Sequence, residues 1–140
     1  MKSRVLGPGS WLVRLDKGDE VLAKLTEFCE KENISSGSIT GLGAASKVRL
    51  GVYDPGLSQY NEREYNGHLE IASLTGNITR LETGNPKLHL HCCIAGDNFV
   101  AQAGHLLSAE ISITGEIVLN TFPEKIERKL DEDTGLMLIG

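Results

Sequence analysis

The sequence predicts an α+β fold, a mainly antiparallel β-sheet with one long N-terminal amphipathic helix, in a single domain over residues 1–140. Three observations carry that prediction. One early stretch places apolar residues at helical spacing, most of the remaining chain alternates with a period near two, and the joins between alternating runs are too short for crossover helices.

Taken in order, Ser10-Trp11-Leu12-Val13-Arg14-Leu15 reads as a first strand. The helix comes next, with Val21, Leu22, Leu25, Phe28 and Cys29 forming one apolar stripe. Asp16 or Asp19 is positioned to cap its start, and Asn33 to take the left-handed conformation after its end. Cys29 then belongs to the core. Strands are expected over Ile39–Gly43, Val48–Tyr53, Leu69–Ile78, Leu88–Ile94, Asn98–Ala103 and Glu110–Thr121, separated by Gly, Asn, Asp or Pro signals. A short terminal helix is expected over Glu124–Asp131.

Composition excludes several classes. Hydrophobic residues at 40% and charged residues at 24% are those of a globular chain, and 16 glycines suit many tight turns. Fourteen basic against nineteen acidic residues give a formal charge of −5, which repels polyanions and argues against an autonomous nucleic-acid binder, leaving room for a local basic patch. The start, Met1-Lys2-Ser3-Arg4-Val5-Leu6-Gly7-Pro8, lacks the apolar core of a signal peptide, and no run reaches the length of a membrane span. Cys29, Cys92 and Cys93 are odd in number, two of them adjacent, and imply no disulfide framework. A cytoplasmic protein is expected.

Two motifs have bland readings. Gly41-Leu42-Gly43-Ala44-Ala45-Ser46 has the look of a dinucleotide loop, but such a loop opens a helix, and Val48–Tyr53 alternates like a strand. Asn77-Ile78-Thr79 matches a glycosylation sequon that a chain without a secretory signal would not expose to the machinery.

His89-Leu90-His91 is the most informative feature. On a strand, residues i and i+2 share a face, so the two imidazoles project together about 6.6 Å apart at the backbone, a spacing that suits one metal ion. Leu88, Leu90 and Cys92 then form the opposite, apolar face. Gly96-Asp97-Asn98 supplies a turn that returns the next strand beside the first and brings His105 toward the pair. Three imidazoles with one open position make the pattern of an exchangeable or catalytic zinc site; the alternative is three solvated or core-satisfied histidines. Cys93 shares the histidine face but lies about 13 Å from His89 along the strand, and His68 is separated from the cluster. Glu70 and Glu116 each interrupt an apolar pattern, either as solvated carboxylates, as acceptors orienting a ligating imidazole, or as general bases to a metal-bound water.

These blocks occur in a familiar order. Ser10–Leu15 with Gly18-Asp19-Glu20, Gly41-Leu42-Gly43-Ala44, Leu69–Ile78, His89-Leu90-His91, Gly104-His105-Leu106-Leu107, Glu116-Ile117-Val118-Leu119 and Asp131–Leu136 together resemble the plant and prokaryote conserved (PPC) domain, in its stand-alone prokaryotic type. The resemblance spans nearly the whole chain. It implies an α+β fold assembled as a homotrimer, with zinc, or another first-row divalent ion, bound by the residues matching His89, His91 and His105. Ala103-Gly104-His105 stands where the family commonly has Gly-Gly-His, a departure that keeps the ligand. In plants the domain is joined to AT-hook arms that enter the minor groove; this sequence shows no such segment, which weakens direct DNA binding as an inherited role.

The resulting expectation is a cytoplasmic, metal-binding homotrimer with a DNA-binding or transcription-associated role. The rival is a metal-dependent enzyme that acts on a small molecule through a metal-bound water.

Overall fold

The computed structural model describes all residues, 1–140. Its elements, in chain order, are β1 (Lys2–Gly7), β2 (Ser10–Asp16), α1 (Val21–Lys31), β3 (Gly37–Asp54), β4 (Gln59–Leu81), β5 (Pro86–Ala95), β6 (Ala101–Thr121), β7 (Glu127–Leu130) and β8 (Met137–Ile139).

The fold class differs from expectation. With 66% of residues in strands and one helix of 11 residues, the molecule is sheet-dominated rather than α+β with a long helix. The physical reason is that the apolar stripe from Val21 to Cys29 covers only about two and a half turns. Asn33, at φ 51°, then reverses the chain as anticipated. The cap also differs: Glu20, not Asp16 or Asp19, accepts from Ala23 N at 2.7 Å. The Asp19 carboxylate is taken by Asp16 N at 2.9 Å, whereas the longer Glu20 reaches both the helix and Ala109 N of β6.

Runs that look like separate strands are joined. Ile39–Gly43 and Val48–Tyr53 are one strand, β3, with register shifts around Gly43 and Ala45 that bend it without ending it. Leu69–Ile78 is the second half of β4, and Glu110–Thr121 the second half of β6. Asn98–Val100 belong to the turn before β6, where Phe99 N donates to Gly96 O at 2.9 Å. The segment Glu124–Asp131 holds β7 in place of the expected helix. Arg80 and Leu81 at the end of β4 offer a parallel partner, and β8 pairs on its other side, so strand pairing satisfies that backbone.

Long bent strands allow the sheet to close. The order β1-β2-β6-β3-β4-β7-β8 is completed by β5, which pairs with both β4 and β6, making a ring of β3, β4, β5 and β6. All ring pairings are antiparallel. The sheet encloses a core of 24 buried residues, to which α1, packed against β5 and β6, contributes Val21, Leu25, Phe28 and Cys29. Trp11 of β2 meets Phe28 edge-on at 5.4 Å. Cys29 and Cys92 are core residues, and burial pushes each thiol up to about 12.

Gly76 fixes how β4 and β5 meet. It lies opposite Leu90, and a Cβ there would collide with the carbonyl oxygen of His89. Gly76→Ala should therefore cost about 3 kcal/mol in urea unfolding, as overpacking against backbone does. An unchanged midpoint would mean that the two strands have slack at this point.

Candidate metal centre

His89 and His91 stand on one face of β5, because Leu88, Leu90, Cys92 and Ile94 turn into the core. His105 is the direct cross-strand partner of His91. Two adjacent strands therefore supply all three rings, with centroids 5.3 Å (89–91), 5.0 Å (89–105) and 5.6 Å (91–105) apart. One nitrogen from each ring lies within 4.8 Å of the others.

The donor set fits a first-row divalent ion. Tetrahedral zinc with its usual bonds to imidazole needs nitrogens about 3.4 Å apart, and the three rings already bring theirs within 4.8 Å of one another. His105 Nδ1 is buried without a hydrogen-bond partner, an arrangement that normally costs stability unless something else satisfies the lone pair or proton. Burial, assisted by the neighbouring His89 and His91, lowers His105 to about 4. Burial and the Arg128 charge lower His89 as well. Rings held neutral in this way keep the lone pairs that coordination requires.

Two residues that sequence reasoning did not single out complete the surroundings. Tyr60 of β4 stacks on His105 at 5.0 Å and 26°. Arg128 of β7, 4% exposed, places Nη2 3.3 Å from His89 Nδ1. A guanidinium only donates, so Nδ1 accepts and the ring proton sits on Nε2. Neutral imidazole has a single ring lone pair, so a metal ion on either nitrogen of His89 would leave Nδ1 occupied or protonated and would end the Arg128 contact.

Other candidates lie elsewhere. His68 is exposed, 3.8 Å from Asp97. Cys93 pairs with Ala103, beyond the His91–His105 pair. Glu70, opposite Ala95, and Glu116, opposite Arg14, are exposed and outside the histidine cluster. Each interrupts its apolar pattern because it faces outward on a sheet whose other face is the core.

A cavity of about 350 Å³ borders His89 and His105. Its far wall is the chain from Gly135 to Leu138, held there by Tyr53 OH donating to Thr134 O at 2.5 Å and by Asp131 accepting from Thr134 N at 2.9 Å.

The model of the Plants and Prokaryotes Conserved (PCC) domain matches residues 6–123, a span that includes the three histidines and both strands that carry them. The chain belongs to the PCC domain family. Solved PCC-like structures agree closely. A Bacteroides thetaiotaomicron protein, assigned provisionally to DNA binding, is 32% identical over 99% of this chain and 96% of its own, with a TM-score of 0.95. A Ralstonia eutropha protein of the same provisional assignment is 31% identical, covering 96% and 92%, at 0.88. A metal-containing protein from Archaeoglobus fulgidus is 35% identical, covering 93% and 91%, at 0.84. No curated protein matches the sequence.

The lowered histidines have a measurable consequence in metal-free PCC protein. An unfolded chain protonates His105 near its ordinary 6.5, whereas the folded one resists until about 4. Stability is therefore fully present above pH 6.5 and declines as pH falls toward 4. Urea midpoints measured across that range should drop with falling pH, and His105→Gln should flatten the decline. An identical slope in the variant would show that His105 is solvated.

Proposed function

We propose that this PCC-domain chain binds one zinc-type divalent ion through His89, His91 and His105, as a cytoplasmic homotrimer with a DNA-associated role. The observation that carries the metal assignment is the convergence of three imidazole nitrogens beside a cavity. A relative named as metal-containing supports it. The ion would find three protein ligands and an open position toward the cavity, the arrangement of an exchangeable or catalytic site.

Self-assembly is supported by an outward apolar hollow. Leu42 and Ile113 are 54% and 72% exposed, and they line it with Ala44 and Ala72. Such patches mark association surfaces. For DNA, the support is the provisional assignment of two relatives and a small basic patch, with Lys2 paired opposite Arg14 and Arg4 on the same strand. Arg14 is partly neutralised by Asp16 at 2.6 Å, and the overall charge is −5, so phosphate contact would be local and salt-sensitive. Three free cysteines fit a reducing setting. No helix is long and apolar enough to cross a membrane.

A metal-dependent enzyme is the second reading, favoured by the cavity at the open position. It keeps the same three ligands.

Elemental analysis of protein purified without chelator should find about one zinc per chain, falling below about a tenth of that in His91→Ala and His105→Ala. A metal-free wild type would remove both readings. Light scattering should give three times the chain mass, reduced to monomer by Ile113→Asp, and a low-salt gel shift should weaken when Arg4 is replaced by Glu. A monomeric wild type, or a shift indifferent to Arg4, would sink the corresponding part.

A further inference from the structure

The cavity beside the histidines carries an electrostatic imbalance. Its walls include Lys87 and Arg128 as well as His89 and His105, and no Asp or Glu. Neither Lys87 nor Arg128 makes an ion pair. Arg128 is buried and compensated only by neutral groups: Nε donates to Thr79 Oγ1 at 3.0 Å, Nη1 to Met137 O at 2.8 Å, and Nη2 to Asn77 Oδ1 at 2.9 Å and toward His89 Nδ1 at 3.3 Å. A buried cation usually has a counter-charge. No carboxylate of this chain lies on the cavity wall or within ion-pair distance to supply one.

We propose that this cavity is an anion subsite that takes the carboxylate of a small organic acid, held by Lys87 and Arg128 with its apolar stem against Leu107, Leu136 and Leu138. The proposal rests on the metal reading only for the Arg128 N–H that the ion would release from His89; Lys87 and the uncommitted fifth N–H of Arg128 stand without it. Size favours a small ligand, since about 350 Å³ lies at the lower end of ligand pockets. The apolar remainder of the wall favours a hydrocarbon stem over a sugar-phosphate backbone, whose polar groups would lose water without replacement.

Donor arithmetic links this subsite to the histidines. A guanidinium has five N–H groups. Arg128 commits four of them, one to His89. A metal ion that takes the His89 lone pair releases that N–H to the cavity, so the metal and the carboxylate each make room for the other. By linkage the benefit is mutual.

The test uses butyrate as probe, titrated calorimetrically into zinc-loaded and chelator-stripped full-length protein, with inorganic phosphate and a short DNA duplex in parallel. Butyrate should bind saturably, and about fivefold or more tighter to the zinc form. Lys87→Met should weaken it by about fivefold or more with zinc content unchanged, and Lys87→Arg should restore it. No saturable butyrate binding, or binding indifferent to Lys87, would overturn the proposal. Lys87-dependent binding of phosphate or duplex in preference to butyrate would overturn the carboxylate assignment. A protein that holds no zinc yet binds butyrate through Lys87 would keep the subsite and refute the metal reading, so the two failures are separable.

Discussion

The antiparallel register between β5 and β6, which sets His91 opposite His105, is the constraint on which the rest of the molecule depends. It closes the ring of β3, β4, β5 and β6, and so creates the enclosed space that the core fills. The same ladder brings the third imidazole to the first two. Because side chains alternate with a period of two, a slip of one residue would turn His89 and His91 inward and expose Leu88, Leu90 and Cys92. Folding and site assembly are thus decided by one choice of pairing, enforced from behind by the close approach of Gly76 to the His89 backbone.

A second consequence concerns Arg128. It ties β7 to β4 through Thr79 and Asn77, and to β8 through Met137, while touching His89. The C-terminal hairpin is therefore in direct contact with the candidate ligands, although the hairpin lies outside the residues matched by the family model. Groups beyond the matched span supply both part of the positive wall and the far side of the cavity.

The histidine pair was legible because an i, i+2 spacing on an alternating strand has only one geometric outcome, and the Gly96-Asp97-Asn98 turn gave His105 its direction of return. The helix stripe and the Asn33 reversal were legible for similarly local reasons. Strand continuity was not: the bulges near Gly43 and Ala45 look like breaks in a sequence and act as bends in the sheet. Tyr60 and Arg128 were invisible as site residues, since each reaches the histidines through pairings set by tertiary closure. Arg128 was further hidden because Glu124–Asp131 has helical composition, and only the neighbouring β4 and β8 make it a strand.

The strand order terminates at β1 and β8, and both ends are poor templates for another chain. β1 carries Lys2 and Arg4 and has a register irregularity near Val5; β8 offers only three residues. A sheet that comprises most of the molecule would otherwise invite open-ended stacking by strand addition. With its terminal strands guarded in this way, the protein can sustain a high β content without seeding fibrils from either end.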